Sequence, residues 1–187
     1  MHKPACFAML AATLLAASFW DSKEPKDWSE DELNRLLTDS PWARSDAYLA
    51  SSEAMRLAEQ EWRRRHEAKQ LDAPDPGEDD YFEFIRNDRG KHVVLAVRVT
   101  DFNQMADAKE IREMEKNCWL RSGKQKIRAS GHFPPTSRDA FLRLVFPRPE
   151  AAVKNLKFDL YLPGVAGTFR QLEFELKEMS YKGRTDY

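Results

Sequence analysis

The last third of the chain alternates. Leu142, Leu144 and Phe146, then Leu156, Phe158, Leu160 and Leu162, then Leu172, Phe174 and Leu176 put an apolar residue at every second position. Only an extended backbone sends every second side chain to one face, so each run reads as a strand with one face to bury. Pro163-Gly164-Val165-Ala166-Gly167 joins two runs of similar length, which makes a hairpin. A hairpin alone is marginal in water, so these faces need a second layer, and an antiparallel β-sandwich or β-meander supplies one.

Other stretches carry a helical period. Trp28-Ser29-Glu30-Asp31-Glu32-Leu33 sets a serine three residues ahead of Glu32, the reciprocal capping arrangement that satisfies free amides at a helix start. Leu33, Leu36 and Leu37 follow at helical spacing, and Ser40-Pro41 ends the run because the residue before proline avoids the helical region. From about Asp46 to Leu71 the chain lacks Gly and Pro, and Ala50, Ala54, Ala58 and Trp62 recur every four residues, so a longer second helix is expected. Met105, Ala108, Ile111, Met114 and Cys118 recur at three- and four-residue steps, which predicts one helix over 103–120 crossing between strands.

The stretch from Asp72 to Asp80 concentrates proline, glycine and acid and reads as a turn-rich linker. Beyond it Phe82 and Phe84 alternate with polar neighbours, and Val93, Leu95, Val97 and Val99 share a face after Asp88-Arg89-Gly90, which predicts a first hairpin. The expected organisation is therefore α+β: a helical N-terminal arm over 19–72, an acidic Pro/Gly linker over 73–80, and an antiparallel β-rich domain over 81–187.

Residues 5–18 carry no charge and are rich in alanine and leucine, behind a short leader that holds Lys3. The run is too short to span a bilayer comfortably, and Ala16-Ala17-Ser18 offers a small-x-small cleavage step. A signal peptide over 1–18 is expected, with Phe19 as the first mature residue and export to the periplasm or the medium. Cys6 lies too early for a lipoprotein site. After cleavage Cys118 stands alone, so no internal disulfide can form, and its place beside Trp119 reads as a buried small apolar residue rather than a reactive thiol.

The formal charge of -1 points to neither nucleic acid nor an anionic membrane, and no second apolar run is long enough for a span. His66, His92 and His132 are isolated, with no metal-ligand spacing. The acidic run at 75–80 lacks the alternating ligands and distal glutamate of a calcium loop. No Gly-x-Ser-x-Gly elbow, Ser-x-x-Lys pair, Walker loop or Gly-x-Gly-x-x-Gly pattern occurs, so no cofactor and no catalytic residue is nominated. Trp62-Arg63-Arg64-Arg65 sets an aromatic beside three cations, but Glu59, Glu61 and Glu67 cancel most of that field, which reads as a charged helix face. His132, in Gly131-His132-Phe133-Pro134-Pro135, and Cys118 are the weak site candidates that remain.

Two segments carry a resemblance. Asp27-Trp28-Ser29-Glu30-Asp31-Glu32-Leu33 running on to Ser40-Pro41-Trp42-Ala43-Arg44, and the ending Phe174-Glu-Leu-Lys-Glu-Met-Ser-Tyr-Lys-Gly183, resemble a family of uncharacterised secreted proteins of soil bacteria. Phe146-Pro147-Arg148 is similar to a step ahead of that family's final hairpin, and Arg184 stands where the family has lysine. The resemblance covers about half the chain and implies export and a C-terminal strand pair, with no activity, cofactor or catalytic residue.

Three functional classes follow. The first is a non-enzymatic exported module that contacts another envelope protein, with Trp28, Pro41 and Trp42 as docking points, since large aromatics bury the most area. The favoured reading of the same tryptophans is internal, with Trp28 stapling the helix start and Trp42 pinning the turn onto the β domain. The second is a binding protein for a small apolar or lipid-like molecule held between the sheet and the 103–120 helix. The third is a hydrolase, which a cleft gathering His132 with carboxylates would favour.

Overall fold

A computed structural model describes residues 18–66, 76–150, 154–165 and 167–187. Residues 1–17 of the expected signal segment 1–18, the expected end of the second helix and of the arm over 67–72, and linker residues 73–75 lie outside the described residues.

The arm opens with a single turn, α1 (Phe19–Ser22), then a 3-10 turn over Pro25–Asp27, then α2 (Glu30–Thr38). The capping box forms as the sequence requires: the Glu32 amide donates to Ser29 Oγ at 3.1 Å and the Ser29 amide to Glu32 Oε2 at 2.8 Å. After Pro41 the chain makes two short strands, β1 (Ala43–Arg44) and β2 (Ala47–Leu49), around a turn where Ser45 sits at φ 58. The helix expected from Asp46 therefore begins later, as α3 (Glu53–His66). Tyr48, Leu49 and Ala50 are apolar on consecutive positions, and all three are buried because β2 lies inside a sheet covered on both faces.

The largest correction falls at the linker and the first expected hairpin. Residues Pro76–Asp88 form a helix, α4, so Phe82 and Phe84 do not lie on a strand. The stripe that decides is Tyr81 and Ile85, four apart and buried, with Phe82 and Phe84 half-buried on its flanks. Proline is tolerated in the first turn of a helix, where its missing N–H would have had no partner anyway. Strand β3 (His92–Arg98) follows a 3-10 turn over Arg89–Lys91.

The helix expected over 103–120 is shorter. A 3-10 turn covers Gln104–Ala106, and Asp107 caps α5 (Ala108–Asn117), its side chain accepting from the Lys109 amide at 2.7 Å. Cys118 ends α5, and Trp119 and Leu120 enter β4 (Trp119–Ser122). Then come β5 (Gln125–Arg128); β6 (Gly131–Phe133), which the alternation did not mark; β7 (Phe141–Pro147), β8 (Asn155–Tyr161) and β9 (Phe169–Glu175), which it did; and a small hairpin of β10 (Ser180–Tyr181) and β11 (Arg184–Thr185).

The strands form two open antiparallel sheets, ordered β1-β2-β3-β7-β6 and β5-β4-β8-β9. Val93, Leu95 and Val97 pair with Phe146, Leu144 and Leu142, and this face meets the second sheet, where Phe146 stacks edge-on against Phe158 at 5.3 Å. The opposite face of the first sheet carries Tyr48, Val94, Ala96, Arg143 and Val145 and lies under α3 and α4, which send Glu59 and Tyr81 to it. The first sheet is thus a middle layer, which is why Val93 to Val97 are all buried. The second sheet turns its other face outward, with Arg121 beside Asp159 and Lys157 3.0 Å from Glu173. No helix among the described residues is long and apolar enough to cross a membrane.

The arm is part of this one core. Trp28, Leu33, Leu36 and Trp42 are buried with the strands, and the C-terminal hairpin closes over them. Trp42 Nε1 donates to the Asp186 carbonyl at 2.6 Å, and the Lys182 amide donates to Asp21 at 2.6 Å.

Candidate functional site

The described surface carries a cleft of about 370 Å³ between α2, α3 and the end of the middle sheet. Its wall is apolar: Leu37 from α2, Trp62 from α3 and Phe141 from the start of β7. Trp62 is 37% exposed and stacks on His66 one turn later, ring centroids 4.7 Å apart. At the mouth Arg98 lies over the Phe141 ring at 4.6 Å, and the two residues are cross-strand partners of β3 and β7. Stacking cross-strand neighbours is what a pleated sheet does with a planar cation and a ring.

The floor is ionic and buried. Arg143 is 4% exposed and Glu59 7%. Arg143 Nη2 lies 3.0 Å from Glu59 Oε1 and 2.8 Å from Asp139 Oδ2, and Arg63 reaches the same Asp139 oxygen at 2.9 Å. Tyr48 donates to Glu59 Oε1, and Tyr81 to Oε2 at 3.5 Å, while the Tyr81 ring lies 4.1 Å under the Arg143 guanidinium. Buried charges are tolerated when each is paired and hydrogen-bonded, and here two carboxylates, two guanidiniums and two hydroxyls satisfy one another. One donor is left over, since Arg143 Nε is buried with no acceptor among the described residues.

Burial first, and then the Glu59 charge, push the Tyr48 hydroxyl well above its ordinary range, and the same two causes raise Tyr81. Burial opposes the charge on Arg143, yet Tyr48, Glu59, Tyr81 and Asp139 outweigh it and hold the guanidinium protonated. A general acid or base works best with a pKa near the operating pH. Two phenols fixed as donors, a guanidinium fixed as a cation and a Glu59 engaged by Tyr48, Tyr81 and Arg143 make an interlocked ionic floor to the cleft.

The residues singled out by sequence are placed elsewhere. Trp28 and Trp42 are buried in the chain's own core, Trp28 6.1 Å from Phe19 and Trp42 5.5 Å from Trp20, so their area is spent internally; Pro41 is half-buried at the turn that leads to Trp42. Cys118 is buried, its Sγ 3.3 Å from the Tyr161 carbonyl, and burial pushes the thiol up to about 11. His132 lies on edge strand β6, 3.5 Å from Glu115 and apart from the cleft, and no metal-binding group of His, Cys, Asp and Glu forms among the described residues. Arg64 and Arg65 grip Glu61 and hold its carboxyl down to about 2, Arg64 contributing most. The basic helix face is therefore paired, Arg64 and Arg65 with Glu61 inside α3 and Arg63 with Asp139 across the cleft floor.

Tyr48, Glu59, Arg98, Asp139 and Arg143 were not singled out. One signal was legible: in Phe-Leu-Arg-Leu-Val-Phe-Pro over 141–147, Arg143 shares a face with Val145, and a strand apolar on both faces leaves no solvent side for its arginine. No family model, curated protein or solved structure matches the chain.

Proposed function

We propose that this protein is a non-enzymatic exported binding module whose small ligand seats in the cleft between α2, α3 and the end of the middle sheet. The observation that carries this is the pairing of open aromatic walls, Trp62 and Phe141, with a floor whose ionisable groups are already committed to one another. Such a surface can hold a molecule against the rings while the ionisable groups of the floor stay engaged with one another. The volume falls within the range of small-molecule sites, about 300–1,000 Å³. The ring faces favour a planar apolar body, and Arg98 at the rim favours an acceptor on it.

This reading relocates the small-ligand hypothesis. The space first expected to hold it, between the sheet and the 103–120 helix, is filled: α5 buries Met114 in the core and Glu110 accepts from Tyr161 of β8, whereas the cleft lies under α2 and α3. Export rests on the apolar, alanine-rich 5–18 run and on the resemblance of the Trp28 and Met179 segments to secreted proteins.

The test is a fragment mixture screened against the full mature chain by ligand-observed and amide NMR. Hits are expected to shift the Trp62 indole and the amides around Phe141, and Trp62→Ala should remove them while the fold persists. Hits scattered elsewhere, or none, overturn the assignment. N-terminal sequencing of periplasmic material should begin at Phe19, and a full-length cytosolic chain would refute export.

A further inference from the structure

A second cleft, of about 530 Å³, runs between α3 and α4, lined by Glu53, Arg56, Gln60, Arg63, Phe82, Ile85, Arg86 and Arg89. We infer that it is a binding site for a phosphate-class oxyanion. The inference is independent of the first cleft and of any ligand there.

Glu53, in the first turn of α3, holds two guanidiniums at once. Arg56 Nε and Nη2 donate to its two oxygens at 3.1 and 2.6 Å, and Arg89 Nη1 donates to Oε2. Hydrogen bonds from Arg56 are the main cause that lowers the Glu53 carboxyl, so it is ionised at neutral pH. One carboxylate between two guanidiniums leaves one positive charge over. Arg86, exposed near the end of α4 and three residues ahead of Arg89, adds another and has no acceptor among the described residues. Asp186 is the remaining carboxylate that faces Arg89; its oxygens accept from the Glu53 and Ala54 amides at 2.7 and 2.9 Å. The balance stays positive by one charge.

Orientation adds to charge. Arg56 is fixed on its other side by Gln60, 3.2 Å from Nη1, and Arg63 forms the far wall with its guanidinium 4.3 Å over Phe82. Immobilised guanidiniums have already given up the rotamer freedom that binding otherwise costs. Arg56 spends its Nε–Nη2 fork on Glu53, so the donors left for an oxyanion are those of Arg86 and of Arg89 beyond Nη1, and forked N–H groups match several acceptor oxygens better than they match chloride. Phe82 and Ile85 in the floor admit the organic part of a phosphate ester.

The measurement is NMR titration of the arginine Nε–H signals of the full mature chain with inorganic phosphate and with phenyl phosphate, against sodium chloride at equal ionic strength. Saturating shifts are expected at Arg56, Arg86 and Arg89 with either phosphate. Tighter binding of phenyl phosphate identifies an ester as the ligand, and equal binding identifies the free ion. Arg86→Gln changes an exposed side chain without a partner, so the fold should persist while affinity falls about tenfold. Equal shifts with chloride, saturation centred on Arg98 or another arginine, or unchanged affinity in Arg86→Gln would each overturn the site.

Discussion

At the scale of residues, the floor of the first cleft turns on Arg143. It touches Glu59 and Asp139, and its ring partner Tyr81 donates to Glu59 in turn. Removing one member of a buried ion network is far costlier than the network's net worth, because the remaining charges stay desolvated and unpaired. Arg143→Met should cost about 3–5 kcal/mol in urea unfolding. Asp139 keeps Arg63, so the orphaned charge is Glu59, and adding Glu59→Gln should recover part of the loss. Equal and additive losses in a double-mutant cycle would show that the two side chains are not coupled. The same residue shows where sequence reading stops. Val145 on the same face marks Arg143 as lacking a solvent side, but its partner Glu59 lies 84 positions away on α3, a separation that local patterns do not register.

At the scale of elements, periodicity was legible wherever one face is dry and the other wet. β7, β8 and β9 and the loop between the last two lie where alternation put them, and α2 begins at its capping box. It failed where burial on both faces removes the contrast, as in β2, and where two periods overlap, as in α4: Phe82 and Phe84 satisfy a period of two while Tyr81 and Ile85 satisfy a period near four. The β8–β9 loop is held by Gly164. Its φ is +74, and a Cβ there would stand 2.2 Å from the Asp101 carbonyl oxygen. The loop cannot retreat freely, because the Gly164 carbonyl accepts from the Thr100 and Asp101 amides at 2.8 and 2.9 Å. Gly164→Ala should therefore destabilise by about 1–3 kcal/mol, with faster amide exchange at Thr100 and Asp101. An unchanged melting temperature would mean that the loop relaxes without losing those bonds.

At the scale of the whole molecule, the two ends of the described chain close on each other. The arm lies against the strands through Trp28 and Trp42, and the C-terminal hairpin locks it there: Asp186 accepts from the first amides of α3 and from the Trp42 indole, Lys182 reaches Asp21, and the Arg148 guanidinium lies 4.3 Å over the Tyr187 ring. A helix whose leading N–H groups are satisfied from 132 and 133 residues downstream is not an independent arm, since removing the cap leaves those donors without partners inside the fold. Three consequences should appear together in a chain ending at Tyr181. Trp42 loses its acceptor and its cover, so tryptophan emission shifts to the red. The first turn of α3 frays, which amide exchange at Glu53 and Ala54 reads directly. Unfolding stays a single transition at lower denaturant, because arm and sheets share one core. A truncated chain that instead unfolds in two steps, with the sheets as stable as before, would establish the arm as a separate unit and give back to Trp28 and Trp42 the surface they spend here.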